Sequence, residues 1–173
     1  KSREHDVFKL LEKNLPGKDI VIYEPHAFTK MGYHRRPDFV LFSVDYGCVV
    51  LEVKNWDWER LSESATGSRH VSINGESRTN PRDSAFQHGD AVRDHLMRRK
   101  ALLNESGRYK DKLKFWVSTA LLCLGTKDED IPELAETFRM SEKFLLSEET
   151  LIDPQRLKKW LREMPEPLLT NEL

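Results

Sequence analysis

The chain has 173 residues, of which 33% are charged and 38% hydrophobic, and a formal net charge of −1. That balance suits one globular domain with a sizeable core and excludes a disordered or fibrous chain. No apolar run approaches the roughly 20 residues of a membrane-spanning helix, and the small net charge excludes a global basic field, so nucleic-acid binding would have to rest on local patches.

Residues 3 to 14 (REHDVFKLLEKN) predict a helix, with Val7, Leu10 and Leu11 at helical spacing and Pro16-Gly17 closing it. Glu4 reads at this point as a first-turn acid favoured by the helix dipole. Residues 19 to 24 (DIVIYE) predict a short strand. Residues 26 to 36 predict a loop with a turn at Gly32 and a basic end, His34-Arg35-Arg36. Phe39 to Phe42 and Cys48 to Leu51 are nearly continuous apolar runs, the pattern of strands covered on both faces. Asp45-Tyr46-Gly47 between them carries turn chemistry, so the pair predicts a hairpin.

After a polar stretch with Trp56 and Trp58, residues 70 to 73 and Asn74-Gly75 predict a small hairpin off the main sheet. Asn80-Pro81-Arg82-Asp83 is a helix start with Asn as N-cap and Pro at the first position; the helix is expected to run to about Asn104. Its His88 and His95, seven apart, read as structural or surface residues. Residues 114 to 124 predict a third long strand, 131 to 138 a short helix, and 144 to 146 an edge strand. Asp153-Pro154 opens a last helix reaching about Met164. Residues 1 to 164 thus read as one domain, and 165 to 173 as a linker to a further domain. A chain that opens on Lys1 without a signal peptide fits a piece of a longer protein. Cys48 and Cys123 fall in apolar runs and read as buried, reduced thiols of a cytoplasmic protein; two cysteines are too few for a thiolate zinc site.

The chemistry concentrates in residues 36 to 56. In an antiparallel hairpin Asp38, at the start of one strand, lies beside Glu52 and Lys54, at the end of the other. Glu52 and Lys54 are two apart and share a face. Charged residues closing an apolar strand need partners, because burying either alone is costly. Two carboxylates and a backbone carbonyl, that of Val53, form a hard oxygen set of the kind Mg²⁺ or Mn²⁺ takes. Lys54 then supplies positive charge toward an attacking water or a phosphoryl group. This pattern predicts a divalent-metal phosphodiesterase site. The blander alternative is a structural salt bridge at a sheet end.

Pro37-Asp38 followed by Glu52-Val53-Lys54 on the next strand resembles the PD-(D/E)xK nuclease superfamily, and within it the nuclease-related domain. The likeness includes a Glu a few residues before a Val in the first helix (Glu4, Val7), Asn55 after the Glu-Val-Lys, and a helix opened by Asn80-Pro81 and carrying Gln87. It departs in having Arg3 before Glu4, where the family usually has Gly, and in a wider spacing from Pro81 to Gln87. The resemblance spans residues 3 to about 125. It implies an α/β fold with a restriction-endonuclease-like core, a central mixed sheet flanked by helices in the order αβββαβ. It implies Glu4, Asp38, Glu52, Lys54 and Gln87 as active-site residues, a Mg²⁺ or Mn²⁺ cofactor, DNA as substrate and a fused helicase or kinase module. The rival expectation is a non-catalytic nucleic-acid-binding or docking module that keeps the fold.

Of the basic residues, His34, Arg35 and Arg36 run straight into Asp38 and are the expected nucleic-acid contacts. The cations between Arg93 and Lys114 read as an ordinary solvated face. No Gly-rich phosphate loop is present, which disfavours nucleotide hydrolysis of the P-loop kind.

Overall fold

The computed structural model describes residues 3–64 and 67–165. The expected linker from 165 to 173 therefore lies outside the described residues beyond Pro165. Helix α1 (Arg3–Asn14) carries Glu4 and Asp6 in its first turn and Lys13 in its last, the arrangement its dipole favours, and buries Val7 and Leu11, one turn apart. Strands β1 (Ile20–Tyr23), β4 (Phe39–Ser43) and β5 (Gly47–Lys54) form an antiparallel meander. The turn between β4 and β5 closes at Gly47, which has φ +77° and whose Cα faces the Trp116 carbonyl so closely that an added Cβ would sit 2.8 Å from it. No other residue type fits there. Strand β9 (Val117–Cys123) adds parallel to β5, and β10 (Leu145–Ser147) parallel to β9, giving a mixed sheet of order β1-β4-β5-β9-β10.

Side-chain alternation divides the sheet between two cores. Phe39, Leu41, Val49, Leu51 and Val53 face α1 and the closing helix α5 (Pro154–Glu163). Val40, Cys48 and Val50 face the opposite layer, where helix α2 (Pro81–Met97) buries Ala91 and Val92 against them. Strands β6 (Leu61–Glu63), β7 (His70–Ile73) and β8 (Glu76–Thr79) make the small antiparallel sheet expected at Asn74-Gly75. Helix α3 (Ile131–Phe138) and helix α4 (Glu148–Leu151) complete the chain. The α/β class, the mixed sheet and the αβββαβ order of the core all hold.

Three boundaries differ from expectation. Helix α2 ends at Met97 rather than near Asn104. Its inward face runs through Ala85, Gly89, Val92 and Leu96, and the positions after that fall on Arg99 and Lys100, which are exposed; the chain turns extended at Arg99 instead. The third long strand starts at Val117, not Lys114: its pairing with the parallel β5 begins at Cys48 with Val117, directly after the Gly47 turn. Residues 26 to 36 hold a two-stranded sheet, β2 (Ala27–Phe28) with β3 (His34–Arg35). It is closed by Thr29 N–H to Tyr33 O at 2.9 Å and Gly32 N–H to Thr29 O at 2.9 Å.

Candidate active site

The ladder between β4 and β5 pairs Phe39 with Leu51. One step further, the same register sets Asp38 opposite Glu52, and both side chains fall on the face covered by α2. The next step sets Pro37 opposite Val53. Proline has no N–H, so β4 offers the Val53 carbonyl no donor, while the Lys54 carbonyl, pointing the other way, accepts from Leu124 N–H at 2.9 Å. The Val53 N–H is taken by Asp38 itself, whose Oδ2 accepts it at 2.7 Å. A proline before the aspartate thus ends the ladder at the point where the side chain takes over from the backbone.

Glu52 is only 6% exposed. Its Oε1 lies 3.9 Å from Lys54 Nζ, and its Oε2 lies 2.6 Å from His88 Nδ1. Burial pushes the Asp38 carboxyl up to about 7; the nearby Glu52 charge adds to this, and Glu4 adds further, while the Val53 N–H and Lys54 pull it back. Two acids are therefore held close together in a partly dry place, a combination that favours a cation between them. Glu4 reaches the same end of the sheet from α1, where it accepts from Tyr23 Oη at 3.2 Å.

His88 was not expected here. Its helix was legible from Asn80-Pro81, but which side of that helix meets the sheet depends on packing. The deciding contact is Gly89, whose missing Cβ leaves room for Thr119 on β9: a Cβ there would lie 2.1 Å from Thr119 Oγ1. That close approach lowers α2 onto the sheet and brings His88 to Glu52. A signal was available in the sequence, since His88 precedes a glycine in the middle of a helix, where glycine is unfavourable unless two backbones must meet.

Gln87, one residue away, is exposed and points elsewhere. It lines a groove of about 600 Å³ with Arg69, His70, Arg82 and Phe86 that includes none of Asp38, Glu52 and Lys54. His34, Arg35 and Arg36 leave the β2–β3 hairpin toward Asp38. Arg36 pairs with Glu24 at 2.7 Å, and His34 Nε2 lies 2.8 Å from His26 Nδ1. Among the described residues there is no group of three or more His, Cys, Asp or Glu side chains set to hold a metal ion, and no helix is long and apolar enough to cross a membrane.

The donor set fits a hard divalent cation that keeps several waters: two facing carboxylates and a strand-end carbonyl, with no thiolate. Cys48 and Cys123 are both buried and unbridged, and burial pushes the Cys48 thiol up to about 12. Searches among curated proteins and solved structures return no match. A family model, the nuclease-related domain, matches residues 1–119, a span that includes Glu4, Asp38, Glu52, Lys54 and His88. The chain belongs to the nuclease-related domain family.

Proposed function

We propose that this domain is a Mg²⁺- or Mn²⁺-dependent nuclease that hydrolyses phosphodiester bonds in DNA, within a protein that also carries a helicase-type module. The observation that carries this is the pair Asp38 and Glu52, facing each other across the end of β4 and β5 with Lys54 beside them. Asp38, Glu52 and the Val53 carbonyl would hold the cation. When bound, it lowers the pKa of water and polarises phosphoryl oxygens.

The remaining work falls to the chain's own groups. Lys54 places an ammonium within 3.9 Å of Glu52, where it offsets negative charge as it builds on the phosphoryl group. Its second task is to relieve repulsion between the two carboxylates. His88 donates from Nδ1 to Glu52 and fixes the orientation of that carboxylate, as an outer hydrogen-bond partner does for a ligand. Glu4 adds negative charge at the same sheet end and orients water there. Gln87 and the groove it lines act on the substrate backbone beside the site, and His34, Arg35 and Arg36 contact flanking phosphates.

The test is an assay on linear and circular, single- and double-stranded DNA with Mg²⁺, Mn²⁺ or EDTA. Cleavage with either metal, lost in EDTA and lost in Asp38→Asn, Glu52→Gln and Lys54→Met, is the expected result. Cleavage that survives all three substitutions would sink the site. A non-catalytic nucleic-acid-binding module that keeps the fold is the second reading. Metal-independent DNA binding with no cutting at any divalent concentration would select it.

A further inference from the structure

We propose that the tip of the β2–β3 hairpin, Met31 and Tyr33, is a platform for unpaired bases of the strand whose phosphate lies at Asp38 and Glu52. This rests on the nuclease reading and names the form of substrate it prefers. The hairpin leaves the sheet after β1 and returns at Pro37-Asp38, so both of its stems start at the end of the sheet that holds the carboxylates. A strand leaving the site on that side would run along it.

Three features suit the hairpin to that role. It is rigid: Lys30 N–H donates to Asp94 Oδ2 at 2.8 Å, Arg98 Nη2 donates to the Thr29 carbonyl at 2.9 Å, and Ala27 is buried against α2. Its rings form a column on its flank, with His26 stacked on His34 at 4.8 Å, Phe28 against His34 at 5.1 Å and His95 against Phe28 at 6.1 Å. It ends in large side chains that the fold does not cover, since Met31 is 82% and Tyr33 64% exposed.

The charge is right as well. Residues 24 to 36 carry Lys30, Arg35 and Arg36 against the single acid Glu24, in a chain whose net charge is −1. A rigid cationic support with exposed aromatic and thioether groups is how single strands are held without regard to sequence: phosphates meet the cations and base faces meet the rings. Bases in an intact duplex already stack on their neighbours and offer no such face. The preference is therefore for a single strand, or for the unpaired part of a junction or flap.

The experiment compares affinities in EDTA, where nothing is cut, for a fluorescent 20-nucleotide single strand and a blunt duplex of the same sequence. Met31→Ser/Tyr33→Ser is the test variant, and Val44→Ser is the control, since Val44 is exposed at the opposite end of the hairpin of β4 and β5. The tip contacts that shape the turn are backbone bonds of Thr29, Gly32 and Tyr33, which the side-chain substitutions keep. The expected result is tighter binding of the single strand by the unsubstituted protein and a loss of about tenfold or more for the tip variant, as the lost stacking of bases on the tip implies. Duplex affinity and the Val44→Ser protein should be unchanged, and Tyr33→Trp should retain single-strand affinity. Equal loss on both substrates, or no loss on either, overturns the platform while leaving the nuclease reading intact. A protein that binds neither substrate overturns the platform, and the nuclease reading then stands or falls on the cleavage assay with Mg²⁺ or Mn²⁺.

Discussion

Asp38 makes the acidity of the solution a direct probe of the site. Its carboxyl sits near 7 in the folded chain against an ordinary value of 3.8. Between those two values the folded protein holds a proton that the unfolded chain has released, so stability falls as pH rises through that window. Metal-free protein in EDTA should therefore melt at progressively lower temperature from about pH 4 to 7 and level off above that. Asp38→Asn should flatten that decline and melt higher than the unsubstituted protein at pH 8, though inactive. The cation competes with the same proton, so apparent Mg²⁺ affinity should climb about tenfold per pH unit below 7 and level off above it. Scanning calorimetry across this range checks the melting trend, and titration calorimetry checks the metal affinity. His88→Ala should leave the fold intact and weaken apparent metal affinity by about 10–100-fold, whereas Gln87→Ala should leave metal affinity unchanged. Asp38, Glu52 and Lys54 could be picked out in the sequence because they interrupt runs that strands bury. His88 was marked only indirectly, by the mid-helix glycine that follows it, since a histidine in a polar helix does not itself show which layer it faces.

At the scale of elements, α2 is the part that the site depends on. Its N-cap, Asn80, is 1% exposed and does more than cap: Oδ1 accepts from Arg82 N–H at 3.0 Å, while Nδ2 donates to the Ser68 and Phe138 carbonyls at 2.9 and 3.1 Å. One side chain thus joins α2, the loop before β7 and the end of α3. Asn80→Ala removes the cap and leaves two carbonyls short of a donor, so a loss of about 2–4 kcal/mol is expected in urea unfolding. Gly89→Ala forces a methyl against Thr119 and should cost about 1–3 kcal/mol; by lifting α2 it should also reduce cleavage more than its stability loss accounts for, and Gly89→Ala/Thr119→Ala should recover both. The start of α2 was legible from Asn80-Pro81 because capping is local chemistry. Its end was not, because the helix stops where its inward face runs out of core, and the extent of a core is set by other elements.

Across the whole molecule, the sheet was legible wherever strands are neighbours in sequence, as in β4 and β5, whose turn carries its own signal. The parallel pairings of β9 with β5 and of β10 with β9 leave no mark of that kind, since nothing in an apolar run names its partner. The resemblance to a known family, which spans residues 3 to about 125, supplied only the chain order of the elements as far as β9 and neither of these pairings. The hairpin of residues 26 to 36 escaped for a different reason. Its strands are two residues each, too short for any alternation to show, and they are held by Asp94 and Arg98 of a distant helix.

The turn from Ser43 to Gly47 has a consequence in time as well as in space. It closes the ladder that faces Asp38 with Glu52 between residues close in sequence, whereas Cys48 meets Val117 only after the chain has looped out through the small sheet and α2. Short loops close first, and distant pairings govern the folding rate. The two carboxylates should accordingly meet early in refolding, before His88 arrives to hold one of them and before β9 and α2 dry the site. A nascent chain would then pass through an interval in which its acidic pair is assembled but still wet, a state in which the cation can come and go as the rest of the domain closes over it.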